Sequence, residues 1–438
     1  MCCVGLQCSS TVWLSATDKA SFTEEKMELK QFLNTSLTAY HTTKNVCDFL
    51  QSRGFVRLES NKQWNVKRGG KYFVTRNGSS VIAFNIGKEN AFNICECHTD
   101  SPSFKIKGNK LVEGSELRLN TEKYGGGLLY TFFDRPLKIA GRIMVEKDGG
   151  IEIRLAESDY NVVIPSLAIH HNPSANGGFS VNPQSDTLPL FAESGQDLYS
   201  TLAKENVLDA DLYVVPAANA FTSGVNGEFL CSARLDNLTS AYACMLAISS
   251  STPPNIAVAA FLDNEETGSG TRQGSPSFLE QTLSSLCFDM GLNGEEKRIA
   301  IENGMALSVD NGHAYHPAHP EKADPVNKTV LNGGVVIKHN VNYATDGLTS
   351  AIVKKLLKDN EIKYQDYYNR SDLRCGSTLG LATSSALGIK VCDIGIAQLA
   401  MHSACETCGT HDIDAINRCL ATFLSSSIVE TEKEISVK

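Results

Sequence analysis

The feature of this sequence that most constrains its fold is a series of short, almost wholly apolar runs. Runs of this kind, bounded by polar or Gly-containing segments, are typical of buried strands. Helical patterns separate the later runs, around 238–249, 346–358 and 376–387. Strands alternating with helices predict an α/β fold with a largely parallel sheet flanked by helices. The predicted strands are VIAFNI at 81–86, AFNICEC at 91–97, IAVAAFL at 256–262, MALSV at 305–309 and IKVCDIG at 389–395.

A different pattern occupies the middle of the chain. From about 103 to 225, short alternating segments such as FKIKGNKLV and LKIAGRIMVE are separated by Gly-rich turns, which predicts a mostly antiparallel β structure. We therefore expect a discontinuous α/β domain formed by 27–102 and 226–438, into which 103–225 is inserted as a β domain. Residues 27–53 predict two helices, and residues 1–26 are expected to be a disordered extension.

Charge and composition exclude several classes of protein. The 438 residues carry a formal net charge of −9 without basic clusters, which argues against a nucleic-acid-binding protein because such proteins need positive charge. No apolar run approaches the roughly 20 residues that span a bilayer, so no membrane association is expected. The 14 cysteines are dispersed and several lie in apolar runs, as free thiols do in a reducing compartment. Since residues 1–26 also lack the features of a signal peptide, we expect a cytoplasmic protein.

Acidic and histidine side chains follow the predicted strands. In open α/β sheets the ligand crevice lies beyond the carboxyl ends of the strands, so these groups are expected to converge. Together they supply two histidines and several carboxylates, a mixed set of ligands that suits zinc, manganese or cobalt. The residues concerned are His98, Asp100, Asp263, Glu265, Glu266, Asp310 and His402.

Two spacings have a chemical interpretation. His98 and Asp100 lie on the same face of an extended chain, where a carboxylate can hold the second ring nitrogen of a metal-binding histidine. In extended geometry the side chains of Glu265 and Glu266 diverge, so one can bind a cation while the other acts as a general base. Asp236 is expected at the start of a helix, either as an ordinary N-cap or as a carboxylate between two cations.

Each of these signals has a plainer explanation when it is taken alone. A single H-x-D motif is often a pair of solvated loop residues, and Asp-x-Glu-Glu is often a solvated acidic turn. Histidines such as His313 and His316, close to Asp310, are common in surface loops, and His402 alone could be a packed histidine. Only the combination favours a metal site.

Nine strings, taken in order, closely resemble the aspartyl aminopeptidase family, which includes vacuolar aminopeptidase I-like dizinc exopeptidases of metallopeptidase family 18. They span nearly the whole chain beyond Met27. The matching strings are FLNTSLTAYH (32–41), HTDSPSFKIK (98–107), EKYGGGLLYTFFDRPLKIAGR (122–142), IPSLAIH (164–170), RLDN (234–237), DNEETGS (263–269), SVDNGHAYHP (308–317), RCGSTLG (374–380) and MHSACETCGT (401–410).

The resemblance implies a metalloaminopeptidase with two divalent ions per subunit, zinc above all, with manganese or cobalt as alternatives. Such ions polarise the scissile carbonyl of a peptide and lower the pKa of water. Glu265 would be the general base, and Asp100 would orient His98. The implied metal ligands are Asp236 between the two ions, His98 and Asp310 for one ion, and Glu266 and His402 for the other.

The resemblance also implies an assembly and a substrate. Members of the family form dodecamers from dimers, the inserted domain serving dimerisation. His170 would reach a neighbouring subunit's active site, although it could be an ordinary strand-end histidine. The implied substrates are peptides with N-terminal Asp or Glu, bound by Lys338 and His313. Lys338 could equally be a solvated strand-edge lysine, and departures from the family pattern at 318–345 and at 404–405 leave a preference for neutral residues such as Leu open.

Two hypotheses assign the protein to a class other than the aminopeptidases. Cys405 and Cys408 form a C-x-x-C pair that could serve a thiol redox enzyme, but the pair lacks the strand-to-helix context of a thioredoxin-type motif. A non-catalytic shell protein would be expected to lose metal ligands, whereas all of the implied ligands are present. The glycines between 268 and 274 do not have the spacing of a P-loop.

Overall fold

A computed structural model describes residues 28–431 and 434–437, so the expectation for residues 1–26 concerns a segment outside the described residues. The N-terminal part contains the two predicted helices and the first four strands of a large sheet. These elements are α1 (Leu29–Thr35), α2 (Ala39–Ser52), β1 (Val56–Leu58), β2 (Lys71–Arg76), β3 (Ser80–Ile86) and β4 (Phe92–His98).

The regular elements in the middle of the chain are almost all strands, separated by loops. Its elements are β5 (Ser103–Ile106), β6 (Leu117–Arg118), β7 (Thr121–Tyr124), β8 (Leu137–Lys147), β9 (Gly150–Glu157), β10 (Leu190–Ala192), α3 (Leu198–Leu202), β11 (Val207–Pro216) and β12 (Phe221–Ser223).

Strands and helices then alternate to the C-terminus. The elements are β13 (Phe229–Ser232), α4 (Leu235–Ser250), β14 (Ile256–Leu262), α5 (Pro276–Asp289), α6 (Gly294–Glu302), β15 (Met305–Val309), β16 (Gly312–His313), β17 (Val335–His339), α7 (Gly347–Asp359), β18 (Tyr364–Tyr368), α8 (Leu379–Leu387), β19 (Lys390–Gly395), β20 (Ala397–Leu399), β21 (Glu406–Gly409), α9 (Thr410–Leu424), β22 (Ile428–Glu430) and β23 (Ile435–Val437).

The large sheet has nine strands in the order β1-β2-β3-β14-β4-β15-β19-β17-β18. Its four central strands, β14, β4, β15 and β19, are all parallel to one another. Helices cover both faces: Ala259 and Phe261 of β14 pack in the same cluster as residues of α4 and α9, while Val258 and Ala260 pack with residues of α5. Because both faces are covered, the central strands must be apolar throughout, which explains the runs seen in the sequence. The predicted fold class is confirmed.

A second sheet is formed by the middle of the chain, in the order β7-β5-β11-β8-β9, and all of its pairings are antiparallel. It has an apolar cluster of its own, which includes Phe104, Ile139 and Val214. Strand β4 of the large sheet ends at His98, and β5, which is the first strand of the second sheet along the chain, begins at Ser103. The division of the chain into domains at 103 and 225 stays a prediction.

A third sheet has five strands, in the order β12-β13-β21-β20-β16. It pairs β12, from the middle of the chain, with strands of the C-terminal part. Its pairing of β13 with β21 brings Ser232, just before α4, opposite Glu406. Among the residues that the structure describes, none of the helices combines the length and the apolar character needed to cross a membrane.

Candidate metal centre

Parallel strands of the large sheet deliver three candidate ligands to one edge. The register of β4 and β14 places His98 opposite Leu262, so His98 lies beside the point where the chain leaves β14 towards Glu266. Asp310 follows the last residue of β15, the neighbour of β4 on its other side. The strand order therefore brings these candidate ligands together at the carboxyl ends of the strands, as expected.

The third sheet supplies two more candidate ligands. Asp236 lies near the start of α4, with non-helical backbone angles, φ −83° and ψ 106°, of the kind that an N-cap residue also adopts. Its carboxylate oxygens face His98 and His402, however, and neither accepts a hydrogen bond from a backbone N–H of the described residues, so the plain N-cap interpretation of Asp236 is wrong. His402 lies in the turn between β20 and β21 with φ +66°, in the left-handed region that few residues other than glycine adopt.

Asp236 lies between the two histidines. Its Oδ1 is 3.2 Å from His98 Nε2, and its Oδ2 is 3.3 Å from His402 Nε2. Asp310 Oδ1 lies 3.7 Å from His98 Nε2, and Glu266 Oε1 lies 3.3 Å from His402 Nε2. One carboxylate thus faces two separate sets of candidate ligands.

The donor atoms are close enough to share an ion within each set. In each of two groups, the candidate ligand atoms lie within 4.8 Å of one another: His98, Asp236 and Asp310 in one, and Asp236, Glu266 and His402 in the other. His98, Glu265 and Glu266 form a third such group. Imidazole and carboxylate ligands at this spacing suit zinc or a similar divalent metal.

Unsatisfied oxygens test whether the cluster fits a cation. Within the described part of the chain, Asp236 Oδ1, Glu266 Oε1 and Asp310 Oδ1 are buried and make no hydrogen bond. A buried carboxylate oxygen without a partner is costly, because it has lost its water without gaining a donor. Since all three oxygens belong to the two groups that share Asp236, divalent cations would satisfy them, and the residues fit such ions.

Two backbone carbonyls orient the histidine rings. His98 Nδ1 lies 3.1 Å from the carbonyl oxygen of Asp100, and His402 Nδ1 lies 3.1 Å from that of Gly126. Because a carbonyl only accepts, each Nδ1 carries the hydrogen and each Nε2 is left to face Asp236. Gly126 belongs to a glycine run from the middle of the chain that approaches closely. At Gly125, with φ +72°, an added Cβ would lie 3.1 Å from Glu266 Cβ.

The carboxylate of Asp100 has more hydrogen-bond partners than the spacing of His98 and Asp100 predicts. Its Oδ1 lies 3.4 Å from His98 Nδ1, so it is a more distant partner than its own backbone carbonyl. It also accepts hydrogen bonds from the backbone N–H groups of Glu265 and Glu266, both at 3.2 Å, and from the Tyr124 hydroxyl at 2.7 Å. Asp100 therefore fixes the turn that carries both glutamates.

The expected extended geometry of Glu265 and Glu266 is wrong, because Glu265–Thr267 form a 3-10 turn. Asn264, with φ +64°, turns the chain sharply at the end of β14. The two side chains nevertheless face different partners: Glu265 Oε2 lies 3.9 Å from His98 Nε2, whereas Glu266 faces His402.

Burial and crowding shift the pKa values of the cluster. Burial, opposed by His98 and reinforced by Asp310, raises the pKa of Glu265 to about 8. Burial alone would lower the pKa of His402, but Asp236 and Glu266 raise it to about 10. Burial would raise the pKa of Asp236, yet the two histidines hold it far below its usual range. Such strongly shifted groups, gathered in a cleft, are typical of a functional site.

Glu406 is a buried residue of the centre that sequence reasoning did not identify. Its carboxylate accepts hydrogen bonds from the backbone N–H groups of Asp236, at 3.0 Å, and of His402, at 2.5 Å. Burial, reinforced by Asp236, raises its pKa to about 8. Its position four residues after His402 carried no local signal of this role.

A cleft with a volume of about 920 Å³ opens onto the cluster. His313 and Lys338 both line it. Lys338 is almost fully buried, and its Nζ lies 3.4 Å from Asp310 Oδ2. His170 lies on an exposed segment of the middle part and does not line this cleft of its own chain.

Cys405 and Cys408 are free thiols. As expected, the pair lacks the strand-to-helix context of a thioredoxin-type motif, because Cys405 precedes β21 and Cys408 lies inside that strand. Cys408 is fully buried, and burial raises the pKa of both thiols. A raised pKa disfavours the thiolate that redox chemistry requires.

Comparisons with known proteins show the family of this chain. The family model described as "Aminopeptidase I zinc metalloprotease (M18)" matches residues 32–424. The "Probable M18 family aminopeptidase 2" of Pseudomonas putida is 37% identical over an alignment 421 residues long that covers 91% of this chain and 97% of that protein.

Two solved structures are similar over 90% of this chain. One is Ape4 in a cryo-EM complex of Ape4 and Nbr1, with 32% identity, 84% of that chain covered and a TM-score of 0.85. The other is the S. cerevisiae mApe1 dodecamer, with 25% identity, 95% of that chain covered and a TM-score of 0.78. The chain belongs to the M18 family of aminopeptidase I zinc metalloproteases, and it is a metalloaminopeptidase that hydrolyses peptide bonds.

Proposed function

We propose that this aminopeptidase removes N-terminal Asp or Glu from peptides, using two divalent ions held by the cluster around Asp236. The observation that carries the proposal is that two groups of candidate ligands share Asp236, and that each contains buried carboxylate oxygens without a hydrogen-bond partner. Zinc is the proposed metal, with manganese and cobalt as alternatives. When bound, the ions would polarise the scissile carbonyl and lower the pKa of water.

Each proposed ligand has a distinct position. Asp236 would contact both ions through its two oxygens, which face opposite histidines. The remaining ligands would be His98 and Asp310 for one ion, and Glu266 and His402 for the other.

Glu265 is the proposed general base. Its side chain is 16% exposed, enough to meet a water molecule in the cleft, and it is held by the turn that Asp100 fixes. Its raised pKa, about 8, suits a group that takes a proton from the attacking water and returns it to the leaving amine near neutral pH.

Lys338 and His313 are the proposed contacts for an acidic first residue. Both line the cleft beside Asp310, and a lysine ammonium has three donors, so Lys338 can contact Asp310 and a substrate carboxylate together. A preference for a neutral first residue such as Leu is the alternative.

A homododecamer built from dimers is the proposed assembly, and the dodecamer of S. cerevisiae mApe1 supports it. The middle part of the chain offers an apolar surface for dimerisation, since Ile151, Ile153 and Leu155 on the edge strand β9 are exposed. His170 lies in the same part and could reach a neighbouring active site. A cytoplasmic location is proposed because all of the described cysteines are free.

The role of Glu265 can be tested with Glu265→Gln, which keeps the size of the side chain and removes the base. We expect at least a 100-fold loss of kcat with two zinc ions still bound per chain. Glu302→Gln, on the exposed end of α6, is the matched control. Near-normal turnover of Glu265→Gln would remove Glu265 from the mechanism.

The substrate preference needs a separate measurement. Chromogenic substrates with Asp, Glu or Leu as the first residue should be compared by kcat/KM. We expect the two acidic substrates to be preferred. A strong preference for Leu would contradict the acidic assignment and leave the aminopeptidase activity intact.

A further inference from the structure

A second cavity adjoins the catalytic cleft. It has a volume of about 240 Å³, and His313 and Arg374 line both spaces. Neither residue belongs to the groups of candidate metal ligands. The cavity therefore adjoins the catalytic cleft, and none of the candidate metal ligands lines it.

The lining of this second cavity is cationic. Lys322, Arg370 and Arg374 all line it, and Asp324 is its one carboxylate among the described residues. Asp324 Oδ1 is already engaged, since it accepts hydrogen bonds from the backbone N–H groups of Val326, at 3.0 Å, and Asn327, at 2.7 Å.

Among the described residues, two of the three cations form no ion pair. Arg370 is paired with Asp372, with Nε and Oδ1 2.6 Å apart. Lys322 and Arg374 make no side-chain hydrogen bond or ion pair with any residue in the described ranges, and both are exposed to solvent. Two unpaired cations at one concave site are arranged to bind an anion.

Lys338 differs from these two cations in its surroundings. Lys338 is 1% exposed and is held at 3.4 Å from Asp310, so part of its charge is already compensated. Arg374 lines the same cleft without such a partner. A guanidinium can also make two parallel hydrogen bonds to a carboxylate, which an ammonium cannot.

We propose that Arg374 and Lys322 form a binding site for a carboxylate group of the peptide substrate in this second cavity. The proposal rests on the proposed function for its substrate class, because a peptide held in the cleft has two sources of a carboxylate. One is the side chain of an acidic first residue, and the other is the C-terminal carboxylate of a short peptide. Both present the same chemistry to the site.

Three tripeptides separate these sources. Asp-Ala-Ala amide has a carboxylate only on its first residue, Leu-Ala-Ala with a free C-terminus has one only at its end, and Leu-Ala-Ala amide has none. Release of the first amino acid would be measured for the zinc-loaded full-length protein, for Arg374→Gln and for Lys322→Gln. Lys328→Gln is the matched control, since Lys328 lies in the same loop, packs on the Tyr315 ring and does not line the cavity.

We expect both cavity variants to lower kcat/KM for one carboxylate-bearing tripeptide about tenfold more than for Leu-Ala-Ala amide, mainly through KM. The tripeptide that shows the selective loss identifies the source of the carboxylate. Lys328→Gln should change none of the three ratios. Equal losses for all three tripeptides, or no loss, would overturn the proposal. A selective loss in Arg374→Gln alone would place the carboxylate in the cleft and would also overturn it.

Binding of succinate, followed by calorimetry, separates this proposal from the proposed function. We expect Kd to rise about tenfold in each cavity variant and to stay unchanged in Lys328→Gln. If no tripeptide is hydrolysed but succinate binding shows this pattern, the proposed function fails and the carboxylate site stands. If the cavity variants bind succinate as the unaltered protein does, the carboxylate site fails whatever the activity.

Discussion

The carboxylate of Glu406 accepts a hydrogen bond from the backbone N–H of Asp236 at 3.0 Å. Its other oxygen accepts one from the backbone N–H of His402. Asp236 and His402 come from segments more than 160 residues apart, and this single buried side chain fixes the backbone of both. The spacing between the two groups that share Asp236 therefore depends on Glu406.

Glu406→Gln should weaken metal binding. The two backbone N–H groups meet different oxygens of Glu406, and in a glutamine at this place an NH2 group would stand where one of those oxygens is and would face an N–H. We expect the affinity for zinc to fall by about 10- to 100-fold, the range typical when a group that supports metal ligands is removed. Competition with a chromogenic chelator would measure this, with Glu302→Gln as the control. An unchanged affinity would show that Glu406 does not position the ligands.

Tyr124 connects the antiparallel sheet to the catalytic turn. Its hydroxyl donates to Asp100 Oδ2 at 2.7 Å and accepts from Asn264 Nδ2 at 2.9 Å. Because a hydrogen bond to a charged group contributes about 1.5–3 kcal/mol, Tyr124→Phe should lower kcat/KM by roughly tenfold or more.

Tyr213 offers a matched control for this variant. Its ring packs edge-on against that of Tyr124 at 5.4 Å, but among the described residues its hydroxyl has no hydrogen-bond partner. Tyr213→Phe should therefore leave kcat/KM almost unchanged. Equal effects of the two variants would mean that ring packing matters here and that the hydrogen bond to Asp100 does not.

His41 should make stability depend on pH. Burial lowers its pKa to about 4, and its Nδ1 lies 2.9 Å from Thr38 Oγ1. An unfolded chain has an ordinary histidine pKa near 6.5, so between pH 6.5 and 4 it binds a proton that the folded chain does not. The free energy of unfolding should therefore fall as the pH falls through this range, with His41 contributing roughly 1.4 kcal/mol per pH unit.

Urea unfolding of His41→Gln between pH 7.5 and 4.5 would measure this contribution. We expect a shallower decline of the unfolding free energy in His41→Gln than in the unaltered protein. His411→Gln, at an exposed position, should keep the original slope. The assignment would be wrong if His41→Gln and the unaltered protein declined in parallel.

Much of the fold could be predicted because its strongest signals are local. The apolar runs of β4, β14 and β15 coincide with the observed strands to within about one residue. Placing His98 and Asp310 at one edge then required only the rule that ligands bind beyond the carboxyl ends of parallel strands. Both inferences use short stretches of sequence.

Some helices were not predicted although the sequence contains signals for them. Ser275 followed by Pro276 starts α5, and Asn293 with Glu296 forms a capping box at the start of α6. The geometry of Glu265 and Glu266 was predicted wrongly because a left-handed Asn264 leaves no clear mark on the sequence.

The supporting residues of the site could not be predicted from local patterns. Glu406 acts on Asp236, and Tyr124 acts on Asp100, through contacts that depend on how distant segments pack. Arg374 adjoins His313 only after the chain has folded around the second cavity. Such roles depend on the tertiary structure.

The central claim is that side chains from five separate segments hold two divalent ions around Asp236. Diffraction from crystals of the zinc-loaded protein, measured on both sides of the zinc absorption edge, tests it most directly. We predict two anomalous peaks per chain, one between His98, Asp236 and Asp310 and the other between Asp236, Glu266 and His402. A single peak, or peaks away from Asp236, would contradict the account.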